Sequence, residues 1–308
     1  MLTPSPDAIW LLSQPSLMML PVQRDGAAWI KQLATAPQPE PLTSQTRLGL
    51  YYEDLVAKAL NTSEYIIETK RNTQLIVNGI TKGEFDFLGT AKSKEKTYHF
   101  HLECAVKFYL LDGDADNLFH YVGTNRKDTL GQKWQRMLSH QSVLSETAEG
   151  AQCCESYGHP TPRSLILIQG VIYLPLHRPA PDALAPAINP KALTGWWLPL
   201  EELDILLDSQ IGYQLLVKPN WLSGDYPEKP TQIIDSSQAE HFAATDFMAP
   251  NAGNNHQQIY SAHELERLLE SHFTKSKRAV HLRALTKTDQ QWKEVSRGFV
   301  VANDWSGQ

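Results

Sequence analysis

The sequence predicts an α/β protein: a mixed β-sheet flanked by helices, with a helical preface ahead of it and an α/β extension behind it. Between Tyr98 and Leu110, apolar Tyr98, Phe100, Leu102, Cys104, Val106, Phe108 and Leu110 alternate with His99, His101, Glu103, Ala105, Lys107 and Tyr109. A period of two belongs to a strand. Helical spacing lies on either side. Leu48, Tyr51, Tyr52, Leu55, Val56 and Leu60 recur every three or four residues before it, and Leu130, Trp134, Met137, Leu138 and Gln141 after it. The apolar run from Ser164 to Leu174 then suits a buried strand. Helix, strands, helix and strand in that order describe a sheet covered by helices.

Three segments follow from these patterns. Residues 1–40 form the helical preface, with Trp10, Leu11, Leu12, Leu17 and Leu20 to pack and Pro37, Pro39 and Pro41 to end it. Residues 41–175 form the core. It opens with a helix over about Ser44 to Leu60, followed by strands over Tyr65 to Thr69 and Gln74 to Val77. Asn78-Gly79 marks a tight turn into a strand over Glu84 to Leu88, and Lys92 to Lys96 is a polar turn before the long strand. An acidic loop, Asp112 to Asp116, and a helix over Thr129 to Leu144 come next. Residues 176–308 are the C-terminal region. It has a proline-rich arm to Pro190, the Trp196-Trp197 pair, a polar stretch from Ser236 to Gln257 and a helical, then basic, end.

Composition narrows the function. In 308 residues, 42% are hydrophobic and 20% charged, the balance of a folded globular chain rather than a disordered one. The net charge of −6 excludes a whole-protein basic footprint, so any nucleic-acid contact must be local. The best local patch runs from Lys275 to Arg297 and includes Lys277, Arg278, Arg283, Lys287 and Lys293. Three cysteines, two of them adjacent, show neither zinc nor redox spacing and fit a reducing compartment. No basic residue precedes the interrupted apolar stretch Ala8 to Leu20, and no run approaches a membrane span. The expectation is a cytoplasmic protein with no membrane partner.

The chemistry centres on Asp86 and Glu103. Each sits in an apolar run, Phe85-Asp86-Phe87 and Leu102-Glu103-Cys104, on neighbouring strands. An unpaired buried carboxylate is costly, and two side by side repel. A divalent cation resolves both, since Mg²⁺ takes one or two carboxylates with water and phosphate oxygens. Lys107 shares the Glu103 face and supplies positive charge. Metal, carboxylates and lysine together suit phosphodiester hydrolysis. His99 and His101 alternate toward the same face, where polar strand residues or a transition-metal pair both account for them.

Gly83-Glu84-Phe85-Asp86-Phe87-Leu88, then His101-Leu102-Glu103-Cys104-Ala105-Val106-Lys107-Phe108, with Glu53 on the preceding helix, resembles the PD-(D/E)XK restriction-endonuclease-like superfamily over roughly residues 41–175. Nearly the whole chain resembles a bacterial domain-of-unknown-function family, number 1853. The shared features are the Glu-x-Ala-Val-Lys-Phe-Tyr strand, the Trp196-Trp197 pair and the Arg297-Gly298-Phe299-Val300 ending. The superfamily resemblance implies a restriction-endonuclease-like sheet with Asp86 and Glu103 as metal ligands for Mg²⁺, or Mn²⁺ in its place. It also implies Glu53 as auxiliary acid, Lys107 as catalytic lysine, and Lys133, His140 or Gln141 facing the phosphate. One position departs: the superfamily's lysine falls two residues after the acid, where this chain has Ala105. Lys107 is two residues further, its Cα about 13 Å from that of Glu103 along a regular strand, unless a bulge shortens the path.

These features predict a Mg²⁺-dependent nuclease, or a nuclease-derived protein, acting on DNA or RNA, with Lys133, Gln141, Lys275, Lys277, Arg278 and Arg283 as nucleic-acid contacts. Ala105 and the negative charge support an alternative, a catalytically inactive nucleic-acid-binding or regulatory module. A protein–protein adaptor with structural acids is the third reading.

Overall fold

A computed structural model describes residues 5–33, 47–93, 96–218, 220–222, 258–288 and 291–306. The fold is mixed α/β, with nine strands and six α-helices among the described residues. Pro37, Pro39, Pro41, the start of the helix expected from Ser44 and the polar stretch from Ser236 to Gln257 lie outside them. Among the described residues no helix is long and apolar enough to cross a membrane. The chain divides into two compact units that do not follow it linearly. The first comprises Met1–Lys107, Leu130–Gly170 and Leu184–Ala192; the second comprises Phe108–Thr129, Val171–Ala183 and Leu193–Gln308.

The first unit opens with helices α1 (Pro6–Ser13), α2 (Gly26–Leu33) and α3 (Leu48–Asn61). Ser5 caps α1 by accepting the Ala8 N–H, with Pro6 at the first helical position, where its missing N–H costs nothing. Gln169 donates to the Leu11 and Gln14 carbonyls at 2.9 and 2.7 Å, satisfying acceptors that the end of α1 leaves open. The same Gln169 accepts from Tyr52 of α3 at 2.6 Å, so one buried amide joins two helices to a strand. Strand β1 (Ile66–Val77) turns at Asn78-Gly79 into β2 (Ile80–Ser93). Asn78 and Gly79 have φ of 52° and 78°, the double left-handed turn whose twist matches antiparallel strands. The two short strands expected on either side of Asn72 are one strand, kinked at that residue by a φ of 50°.

β2 pairs antiparallel with β3 (Lys96–Leu111). The alternation along β3 is real, but both of its faces are covered: His101 and Glu103 are as buried as Leu102. Helix α4 (Leu130–Arg136) continues without a break as a π-type helical turn through Met137–Gln141, so the helix expected over Thr129 to Leu144 is present with a widened last turn, and α5 (Ala148–Ser156) follows. β5 (Arg163–Pro175) begins in this unit. At Gly170, φ is 154°, and a Cβ would stand 1.8 Å from the Lys107 carbonyl oxygen. Neither backbone nor neighbour can yield, so Gly170→Ala is expected to lower unfolding free energy by about 3 kcal/mol in chemical denaturation.

In the second unit, β4 (Tyr121–Gly123) pairs with the end of β3. The end of β5 is followed by parallel β6 (Leu193–Pro199) and β9 (Gln291–Val301), then by antiparallel β8 (Val280–Thr288) and β7 (Gly212–Leu215). Trp196, Leu198, Tyr213, Leu265, Leu269, Leu282 and Val300 form its core under α6 (Ala262–Phe273). Ser261 and Glu264 make a capping box at the start of α6. Trp196 and Trp197 are core residues whose indole N–H groups donate to Ser296 Oγ and the Leu111 carbonyl. The C-terminal end is a helix followed by a strand hairpin that carries most of the basic residues.

Candidate functional site

The site lies in the first unit, where β2 and β3 change how they pair. Their ladder runs from Ser93 opposite Lys96 to Phe87 opposite Leu102. Just beyond it, the Cys104 N–H donates to Oδ2 of Asp86 at 2.9 Å. Asn72, left-handed on β1, falls between the pairs Arg71–Phe87 and Thr73–Phe85 and therefore opposite Asp86. Phe85 and Leu88, three residues apart, share one core cluster, so strict alternation is lost across Asp86.

Glu103 is fully buried and held at both oxygens. Oε1 lies 2.8 Å from His101 Nε2, and Oε2 accepts from Gln141 Nε2 at 3.1 Å. Ser145 Oγ lies 3.1 Å from the other His101 nitrogen. With Nε2–H donating to the carboxylate, Nδ1 accepts the hydrogen bond of the Ser145 hydroxyl, and the ring is fixed in one tautomer. Gln141 also accepts from Lys133 Nζ at 2.8 Å, which gives a chain Lys133–Gln141–Glu103–His101–Ser145. Gln141 reaches this position through the wide turn after α4, where the Ser142 N–H bonds five residues back to the Met137 carbonyl. Such π-type turns interrupt helices chiefly at functional sites.

The charges of the group act on one another. Burial, then the Glu103 carboxylate, pushes Asp86 up to about 8; the Cys104 N–H and the Lys133 ammonium pull against them. Glu53, half-buried on α3, is raised by burial, opposed by Arg71, with Glu84, Asp54 and Glu103 adding to the rise. Lys133 is lowered by burial and then by Lys107, against the pull of Asp86 and Glu103. The buried Cys104 thiol is raised by burial and then by Asp86, Glu53 and Glu103. Three acids and one lysine, from two strands and two helices, therefore share one electrostatic neighbourhood.

Glu53, Asp86, Glu103, Lys133 and Gln141 come together. Lys107 is half-buried on β3 and its charge reaches Lys133, and the Lys133 ammonium on α4 acts on Asp86. His140 is exposed. Lys133 and Gln141 were implied by the superfamily resemblance, which sets them toward the phosphate; Ser145 and the orienting role of His101 carried no signal. Among the described residues, no group of three or more His, Cys, Asp or Glu side chains is arranged to hold a metal. In the second unit, Lys275 and Arg278 are exposed and Lys277 pairs with Asp304. Arg283 is tied to Gln214 at 2.7 Å and to Glu294 at 3.2 Å, and Arg297 is buried.

A family model described as a domain of unknown function, DUF1853, matches residues 6–301. The chain belongs to that family. No curated protein matches it, and no solved structure does. The matched residues run through both units.

Proposed function

We propose that the acidic cluster of the first unit is a divalent-metal site for hydrolysis of nucleic-acid phosphodiesters, on a PD-(D/E)XK-like core. The observation that carries this reading is the convergence of Asp86 and Glu103 from adjacent strands, with Lys133 tied to Glu103 through Gln141. The donor set fits a hard cation. Two carboxylates raise each other's cost, Oδ1 of Asp86 has no hydrogen-bond partner among the described residues, and oxygen is the donor type Mg²⁺ prefers. With only two carboxylates close, water and phosphate oxygens would complete the shell. A bound Mg²⁺ or Mn²⁺ supplies Lewis acidity and an activated water.

The protein's own groups do the rest. Glu103 is oriented by His101 and Gln141, so it presents a fixed carboxylate. Lys133 places an ammonium beside the acids, where negative charge develops on a cleaved phosphodiester. It thereby fills the role that Ala105 leaves vacant on β3. Glu53 adds negative charge from α3.

Cleavage of supercoiled DNA and of single-stranded RNA, with Mg²⁺ or Mn²⁺, tests this. Asp86→Ala and Glu103→Ala are expected to abolish cleavage with the fold intact by circular dichroism. Lys133→Met is expected to reduce it about 10²–10³-fold, and Lys107→Met less than about tenfold. The reverse order would return the catalytic lysine to β3. Donors already seated on both Glu103 oxygens favour a second reading, a nuclease-derived binding module without hydrolysis. Salt-sensitive nucleic-acid binding that survives both acid substitutions, with no cleavage by the wild type, supports that reading.

A further inference from the structure

The second unit contains a groove of about 950 Å³ with a charge opposite to that of the chain as a whole. It is lined by 124–127 after β4, 215–218 with Trp221 at the end of β7, 276–281 leading into β8, Leu268 and His272 of α6, and Trp305. They bring Arg126, Lys127, Lys218, Lys277 and Arg278 to one surface, and among the described residues no acidic residue lines it. The whole chain carries −6, so this concentration of cations is local. Asp112 pairs with Arg126 at 2.7 Å and Asp304 pairs with Lys277. Lys127 and Arg278 are exposed and have no ion-pair partner among the described residues. Cations held together in this way repel one another, and an anion in the groove relieves that repulsion.

The lining also indicates which anion. Its two indoles are nearly buried, at 4% exposure for Trp305 and 8% for Trp221. Each is covered by a cation, Arg126 over Trp305 at 4.6 Å and Lys218 over Trp221 at 4.4 Å. Neither ring is free to stack on a base, so the groove offers charge rather than base-reading surfaces. One further donor or acceptor is waiting: His281 lines the groove, is 2% exposed, and its Nδ1 has no hydrogen-bond partner among the described residues. Buried polar atoms are rarely left unpaired without a ligand or water to meet them.

We propose that this groove binds a nucleic-acid strand through its phosphates, without reading its sequence. The choice of a phosphodiester polymer over a single phosphorylated molecule rests on the nuclease-like reading of the first unit; the cationic groove itself does not.

The test is fluorescence anisotropy of the full chain with a labelled random-sequence single-stranded oligonucleotide. It is carried out in EDTA, so that the metal site is silent, between about 50 and 200 mM salt. Binding is expected to fall steeply with salt. Lys127→Gln with Arg278→Gln, two exposed positions whose substitution leaves the fold intact, is expected to weaken binding. The log–log salt slope should shrink by about 1.4, which is about 0.7 for each phosphate no longer neutralised. The Asp86→Ala, Glu103→Ala protein should bind like wild type. An unchanged slope in the Lys127, Arg278 variant, or no binding at low salt, overturns the proposal. Competition by ATP or inorganic phosphate at concentrations matched in phosphate also overturns it, in favour of a small phosphorylated ligand. Oligonucleotide binding by a wild type that cleaves nothing sustains the groove while the nuclease reading fails.

Discussion

Glu294→Gln is expected to lower the unfolding free energy by about 3–5 kcal/mol, the cost of breaking a buried ion pair from one side. Glu294 and Arg297 are both nearly inaccessible to solvent. Arg297 Nη2 donates to Glu294 Oε2 at 2.7 Å, its Nε to Oε1, and its Nη1 to the Trp221 carbonyl at 3.1 Å. Arg283 adds an ion pair to the same carboxylate at 3.2 Å. Arg283 and Arg297 stand directly opposite one another across β8 and β9, so the carboxylate separates two guanidinium groups. Glutamine keeps the shape and removes the negative charge that lies between the two guanidinium groups. The double change Glu294→Leu, Arg297→Met is expected to recover part of the stability, because two apolar side chains replace the buried pair and only Arg283, which reaches solvent, keeps a charge without the carboxylate. Urea denaturation of the three proteins checks this. A decrease below about 1 kcal/mol for Glu294→Gln would mean that solvent reaches the pair. Because Arg297 bonds the Trp221 carbonyl, the same substitution is also expected to loosen the wall of the cationic groove.

That ion pair illustrates what the sequence displays and what it withholds. Residues three apart on a regular strand point to opposite faces. Between Ala284–Ser296 and Leu285–Glu294 the β8–β9 register slips by one, with Val295 as the extra residue, and this bulge turns Glu294 onto the Arg297 side. In the sequence, Arg283 and Arg297 count toward a basic surface patch; in the folded hairpin they are consumed by Glu294. The Asn78-Gly79 hairpin and the long alternating strand were legible because turn chemistry and period two are local. Asp86 and Glu103 were legible for the same reason, each standing out inside an apolar run, whereas Glu53 came only from the resemblance. Lys133 beside them came only from the resemblance, which set it toward the phosphate and not on Glu103. Its place depends on how α4 ends, in a turn whose bond reaches five residues back and brings Gln141 onto Glu103. No spacing rule in the chain announces such a turn. The burial of both β3 faces was also hidden, since a polar residue held by a partner looks in sequence like one facing water.

The apo protein is expected to lose stability as the pH rises from about 4 to about 8, and Mg²⁺ is expected to restore it. Asp86 is raised from an ordinary 3.8 to about 8 by burial and by Glu103. Between those values the folded state keeps a proton that the unfolded state releases. Each pH unit across that window therefore costs folding up to about 1.4 kcal/mol, and the decline levels off above 8. Below 4 both states are protonated and the effect vanishes. A cation competes with that proton, so metal affinity should climb over the same interval and flatten beyond it. Saturation at a hundred times the dissociation constant would add about 2.7 kcal/mol. Asp86→Asn tests both halves at once. Its amide oxygen can still accept the Cys104 N–H, while its charge is gone. The variant should melt higher than wild type in EDTA at pH 8, lose the slope across the window and gain nothing from Mg²⁺. Thermal unfolding at several pH values, with and without Mg²⁺, reads all three. If the slope disappears in the variant but Mg²⁺ never stabilises the wild type, the carboxylates repel as described and hold no metal; hydrolysis by this cluster is then abandoned.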